Sequence, residues 1–319
     1  MKKLIATLFK DGNMKKLIAT LLAALALHAQ AEVITIKSPY GAQHAGHAAL
    51  HKIMEKANTA QTQYGFLLEL KPGGNGVLAL KDMDRAPATS LGLIHAGYVQ
   101  NTMDNLLNET DYVPVMALGD ACWFVASNQG NEQQGLRSLQ GSRLDLIMGG
   151  VGIGTAAHLT SMEIAEKINH PIRFVSFKSG AEANIVLAGE NGVHVSMMSS
   201  NEFTNLKTRN PRLQRLAVHC ERRLPEAPGI ATTKQQGITA PYVFNTIVAN
   251  VNMPAARLQE IKVILNNAVV AVGQDQILAM SDFNPPNFRN QSVDDYHKEK
   301  VRVMKAALIK HRAAIEASK

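Results

Sequence analysis

Apolar positions along this chain fall into short continuous runs separated by stretches with helical spacing. Residues 33–36 (Val-Ile-Thr-Ile), 66–70 (Phe-Leu-Leu-Glu-Leu) and 89–94 (Thr-Ser-Leu-Gly-Leu-Ile) predict strands. Residues 43–56 place Ala, Leu, Ile and Met on one helical face, and 77–83 predict a second helix. Two strands, 112–118 and 122–127, then follow in close succession. Further strands are expected at 144–148, 172–177, 193–198, 213–219 and 243–251, with helices at 159–168 and 181–188. Pro254 opens a long amphipathic helix to residue 272, since proline suits a first turn. A final helix, 292–315, gathers Lys and Arg toward its C-terminal half, where the helix dipole favours cations. This alternation argues for parallel α/β sheets. The polar stretch 129–135 and the breaker-rich 224–229 read as connections, and a chain of this length suits two lobes.

The N-terminus changes the compartment. Met14-Lys-Lys is basic, residues 17–27 are apolar but too short to span a membrane, and Ala29-Gln30-Ala31 is a small-x-small cleavage site. A cleaved signal peptide and a periplasmic mature chain starting near Glu32 are expected. Residues 1–8 recur as 14–21, so Met14 is the expected start. No later run reaches about 18 apolar residues, the length that would suggest a membrane span. The first 31 residues carry five Lys and one Asp, so removing them lowers the net charge from +7 to +3. With no basic run interleaved with aromatics, a nucleic-acid partner is not expected. The two cysteines, Cys122 and Cys220, are open to two readings: a disulfide in an exported protein, or two buried thiols.

The stretch with most chemistry is 149–158, Gly-Gly-Val-Gly-Ile-Gly-Thr-Ala-Ala-His, between an apolar strand and a helix. A glycine-rich turn opening a helix offers free N–H groups at the positive end of the dipole, which suits an anion. Gly150, Gly152 and Gly154 alternate singly and Thr155 stands where a dinucleotide loop needs glycine; the Lys-Ser/Thr of a P-loop is missing too. No cofactor is expected. His44, His47 and His51 fall at i, i+3 and i+7 of the expected first helix, a face that suits either a metal or an anionic ligand. Ser161, Ser176 and Ser199 lack a nucleophile-elbow setting, and Cys220 beside His219 on a strand makes no dyad, so no catalytic residue is assigned.

The chain resembles the periplasmic receptors of tripartite tricarboxylate transporters, the Bug family. The resemblance is carried by Ile34-Thr-Ile-Lys-Ser-Pro-Tyr40, Lys71-Pro-Gly-Gly-Asn-Gly76, the 149–158 loop, Val175-Ser-Phe-Lys-Ser-Gly180, Leu213-Gln-Arg-Leu-Ala-Val218 and Arg222-Arg-Leu-Pro-Glu-Ala-Pro228. It implies a two-lobe α/β fold of the type II periplasmic-binding-protein kind. Residues 32–124 plus 225–319 would form one lobe and 125–224 the other. It also implies a monomeric, non-enzymatic receptor that holds a small organic carboxylate in the cleft and presents it to membrane permease subunits. Its ligand set matches Tyr40, Gln43, His44, His47, His95, Gly152, Gly154, Thr155, His158, Lys178 and Ser200 here. The ligand carboxylate is expected on the N–H groups of 152–155 and the side chains of Thr155 and His158, with Gln43, His44 and His47 closing the other side. The chain departs from the family where Gln43 and His44 replace a Gly-Gly pair, His47 an aspartate, Phe177 a tyrosine and Ser200 an aspartate. These changes imply a less acidic cleft and a His47 that becomes cationic near pH 6. Two alternatives stand beside this reading: a metal receptor or metal-assisted hydrolase using His44, His47 and His51, and a ligand-sensing subunit of a signalling system.

Overall fold

A computed structural model describes residues 31–42, 44–189, 192–286 and 292–318. Of the expected leader only Ala31 is included, and Gln43 lies outside the described residues.

Two mixed sheets organise the chain. The first has six strands in the order β11-β4-β10-β3-β1-β2. These are β1 (Glu32–Ser38), β2 (Tyr64–Leu70), β3 (Ser90–Ile94), β4 (Tyr112–Ala121), β10 (Phe244–Asn250) and β11 (Phe283–Asn284). The second has the order β7-β6-β8-β5-β9, from β5 (Trp123–Ser127), β6 (Leu146–Val151), β7 (Ile172–Phe177), β8 (Val195–Met198) and β9 (Gln214–His219). The expected parallel pairing holds for β1 with β2 and β3, and for β6 with β7 and β8. It fails for β10, β11, β4, β5 and β9, which pair antiparallel. Of these, β4, β5, β9 and β10 carry the chain between sheets, and a strand leaving one sheet enters the next without a crossover helix to reverse it.

β3 and β10 lie in the middle of the first sheet and are buried along their whole length, which explains their unbroken apolar character. Helix α1 (Gly46–Ala60), α7 (Ala255–Val272) and α8 (Gln274–Ser281) cover one face. Helices α2 (Val77–Met83), α3 (Ala96–Met103) and α9 (Val293–Lys310) cover the other. In the second sheet α4 (Ala156–Ile168) lies on one face, and α5 (Gly180–Ala188) and α6 (Ser200–Lys207) on the other. The expected last helix breaks at His311 into α9 and α10 (Arg312–Ala317). The Ser292 side chain caps α9, whose first turn carries Asp294 and Asp295 and whose last carries Lys310.

The lobe boundary differs from expectation. Residues 225–243 were expected in the first lobe, yet Ala227, Ile230, Ile238 and Ala240 pack into the cores of the second sheet, and Thr232 bridges to Val218 of β9. The apolar side chains after the 224–229 breaker have no free face on the first sheet, whose helices already cover it. The chain returns only at Val243, whose carbonyl accepts from Ala121 N at 2.7 Å. Both crossings therefore run side by side. Cys122, between β4 and β5, forms a disulfide with Cys220 at the end of β9, with Cα atoms 4.7 Å apart. That resolves the two cysteine readings.

The lobes also share an apolar contact. Ala156 and Leu159 of α4 join Tyr98, Val99 and Phe244 in one buried cluster. The chain end adds a polar tie: Lys310 and His311 contact Glu163 of α4 at 2.6 and 3.3 Å, and Thr239 Oγ1 donates to the same carboxylate at 3.0 Å. Burial alone would raise the Glu163 pKa, but the hydrogen bonds from Lys310, His311 and Thr239 outweigh it and hold the group at about 2.

Two stability predictions follow from these ties. The disulfide closes a loop spanning 98 residues, so replacing both cysteines by serine should lower stability by about 2–4 kcal/mol in urea unfolding. An unchanged midpoint would show that the bond constrains nothing. For Glu163 the folded pKa lies below the ordinary 4.5, so its contribution is present above that pH and lost as pH falls toward about 2. Wild type should lose stability over this window relative to Glu163→Gln, read from unfolding midpoints across a pH series.

Candidate functional site

Each sheet has a point where neighbouring parallel strands send their helices to opposite faces. In the first sheet, β1 leads into α1 and its neighbour β3 into α3. In the second, β6 leads into α4 and its neighbour β8 into α6. Ligands in open α/β sheets bind outside the carboxyl ends of such strand pairs, where the loops part. Residues 39–42, 44–45, 71–76 and 95 form this end of the first sheet, and 152–155 that of the second. They meet: a Cβ on Gly152 would lie 3.3 Å from Asn75 Oδ1, and one on Gly154 2.6 Å from Gln100 Oε1 of α3.

The 152–155 turn is shaped by its glycines. Gly152 and Gly154 both have φ +74°, the left-handed region that other residues enter at a cost. Thr155 is the N-cap of α4, but its Oγ1 donates to Gly152 O at 3.0 Å and does not cap the helix. Two expected ligand donors are already engaged. Gly152 N donates to Ser176 Oγ and Gly154 N to His158 Nδ1, each at 3.0 Å. His158 is 1 % exposed, lies 4.6 Å from the Phe174 ring and serves to shape the turn. The N–H groups of the first turn of α4, from Ala156 onward, have no side-chain cap and keep the dipole's positive end open.

Across from the turn lie four aromatic side chains. Tyr40 stacks on His44 with centroids 3.6 Å apart, and sits 5.2 Å from His95. Its hydroxyl donates to Asn245 Oδ1 at 2.9 Å. Gly46 makes the stack possible, since a Cβ there would fall 2.8 Å from the His44 ring. His47 is buried with Nε2 2.8 Å from Ser38 Oγ. His95 is the N-cap of α3: its Nδ1 accepts from Gly97 N at 3.0 Å, so Nε2 carries the ring proton.

The His47 imidazole, expected to turn cationic near pH 6, is held below its ordinary value. Burial lowers its pKa, as it lowers that of His95 and of His158, both to about 4, and His44 is pushed well below the ordinary value. A buried imidazole far from any acid stays neutral because the charged form loses its water. The facing wall thus offers neutral donors and acceptors, not cations.

Two further expected site residues follow β7 and β8 and are engaged by acidic groups. The Lys178 side chain is exposed past the end of the edge strand β7, and its backbone N donates to Glu182. Ser200 opens α6; its N donates to Asp282 Oδ2 and its hydroxyl to Glu226. The rim there is acidic despite the serine: burial, together with Glu226 and Glu202, pushes Asp282 up to about 6. The histidine face also dissolves. The helix starts three residues later than expected, so His44 precedes it and His51 is exposed one turn beyond His47. Among the described residues no group of three His, Cys, Asp or Glu is placed to hold a metal ion.

Asn75 and Asn245 were not singled out from the sequence. Asn75 takes φ +51°, a left-handed position that asparagine tolerates, which is a signal within Gly-Gly-Asn-Gly. Asn245 sits inside a strand, where nothing local distinguishes it. Asn101 Nδ2 donates to Asn75 O at 2.8 Å and holds the loop in place.

Comparison with known proteins follows the same lines. No curated protein sequence matches the chain. Among solved structures, the periplasmic binding protein BugD superimposes with a TM-score of 0.71 at 16% identity, covering 88% of this chain and 97% of that one. MatC from Rhodopseudomonas palustris, with bound malate, gives 0.69 at 14% identity, covering 86% and 97%. A second R. palustris protein, with adipate, gives 0.71 at 16%, covering 89% and 96%. At these identities the likeness establishes the fold, a two-lobe periplasmic-binding-protein architecture. The sequence model of the tripartite tricarboxylate transporter family receptor matches residues 139–313, more than half of the chain and the whole run from β6 to α10. The chain therefore belongs to the tripartite tricarboxylate transporter receptor family, whose members are solute-binding receptors.

Proposed function

We propose that this protein is a periplasmic receptor that captures a small organic carboxylate between its lobes and presents it to the permease subunits of a tripartite tricarboxylate-type transporter. It acts as a monomer and without catalysis. The observation that carries the reading is the 152–155 turn: two left-handed glycines open an uncapped helix N-terminus against Asn75 and Gln100 of the other lobe. Such a turn stabilises an anion through backbone dipoles and needs no cationic side chain. The malate and adipate held by two structural neighbours support the same ligand class. Of the matched residues, Tyr40, His44, His47, His95 and Thr155 surround the ligand, while Gly152, Gly154 and His158 set the shape of the turn. Ligand binding favours the closed arrangement of the lobes, and the permease distinguishes it from the open one.

Thermal unfolding against mono-, di- and tricarboxylates of two to six carbons tests this. A one-site ligand at 100 times its Kd stabilises by about 2.7 kcal/mol, a rise in Tm of roughly 5–10 °C for a chain of this size. Absence of a shift with every member of the panel would refute the reading. Gly154→Val forces a β-branched residue into a left-handed position against Gln100. It should abolish the ligand-induced shift while the unliganded protein still unfolds cooperatively.

A further inference from the structure

Behind the anion-binding turn, several buried polar atoms have no partner within the protein. Both ring nitrogens of His44, Oδ1 of Asn75 and Nδ2 of Asn245 are buried without a hydrogen bond. Asn245 is fully buried, and its other amide atom is held by the Tyr40 hydroxyl. These groups are contiguous. Tyr40 stacks on His44, bonds Asn245 and touches the His95 ring, and Gly76 and Gly97 bring Asn75 against His95. An orphaned buried donor or acceptor costs about 1–3 kcal/mol, so several in one cluster point to an occupant that satisfies them.

The cluster is also free of charge. Burial and the Asn245 hydrogen bond alone act on Tyr40, burial alone on His95, and burial with two neighbouring imidazoles on His44. Among the described residues no carboxylate, ammonium or guanidinium acts on these three groups. A second ligand carboxylate placed there would lose its water without gaining a counter-charge, and a ligand ammonium would find no acid.

We infer that Tyr40, His44, Asn75 and Asn245 form an uncharged specificity pocket, so that the preferred ligand carries one carboxylate for the 152–155 turn and a hydroxyl, carbonyl or amide in place of a second charge. This deepens the receptor reading and rests on it. A hydroxyl or carbonyl accepts from Asn245 Nδ2 and from whichever His44 nitrogen carries the proton. A hydroxyl can also donate to the other nitrogen or to Asn75 Oδ1.

The test is calorimetric titration of the full mature chain with pairs matched in length: 4-hydroxybutyrate against succinate and 6-hydroxyhexanoate against adipate, with lactate and malonate as a short pair. In at least one pair the hydroxy acid should bind tenfold or more tighter than its dicarboxylate. Asn245→Leu should reduce that preference at least fivefold. His44→Phe, which keeps the stack on Tyr40 and removes both nitrogens, gives a second reading should the first variant fold poorly. Equal or tighter binding of the dicarboxylate in every pair overturns the pocket and leaves the receptor intact. A preference unchanged in His44→Phe and Asn245→Leu overturns it as well. If neither member of any pair binds and the wider carboxylate panel also fails, the receptor reading falls with it.

Discussion

Two lobes can share one small ligand only if the carboxyl ends of their sheets are held face to face, and the double strand crossing at Cys122 imposes that constraint. Cys122 separates β4 from β5 by a single residue, so the second sheet starts where the first stops. The return strand runs alongside, tied by the Ala121–Val243 hydrogen bond, while the disulfide ties the crossing at Cys122 to the end of β9. With this pivot fixed, α4 has one place to go: its first turn packs on Tyr98 and Val99 and brings Gly152 and Gly154 against Asn75 and Gln100. The chain end reinforces the arrangement through Glu163, the acceptor for groups from two other elements.

The electrostatic character of the site follows from the same closure. Histidine at an exposed helix end would titrate near neutrality and greet an anion as a cation. Here folding strips water from the rings of His44, His47, His95 and His158, and all four are held below the ordinary imidazole value. In the receptor proposed above, binding energy for a carboxylate comes from oriented backbone dipoles, and discrimination from neutral side chains whose hydrogen-bond directions are fixed by stacking and capping. His95 and His158 illustrate the division of labour: each accepts a backbone N–H through Nδ1 and so fixes its turn as well as its tautomer.

Much of the chain was legible locally. Alternating apolar runs located β1, β3, β6 and β10, Pro254 marked the start of α7, and the glycine-rich 149–158 stretch announced an anion-suited helix opening. Helix α3 was missed because Gly97, Tyr98, Val99, Asn101 and Thr102 are all weak helix formers. Strand direction was misjudged for β4, β5, β9 and β10, because alternation of strands and helices carries no information about strands that pass between sheets. The boundary at residue 224 was misplaced because proline and glycine mark a bend in the chain, not the sheet on which the next residues settle.

The sequence by itself located most of the strands and the longer helices, and the glycine-rich turn opening a helix at 149–158, since each depends on backbone geometry over a few residues. Only the tertiary structure decided which lobe residues 225–243 join, that Cys122 and Cys220 pair, that His51 is exposed, and that Asn245 is buried against the Tyr40 hydroxyl. Those outcomes depend on contacts between residues far apart in the chain. The charge of a histidine belongs with them, because it is set by how much water the folded neighbours leave around the ring.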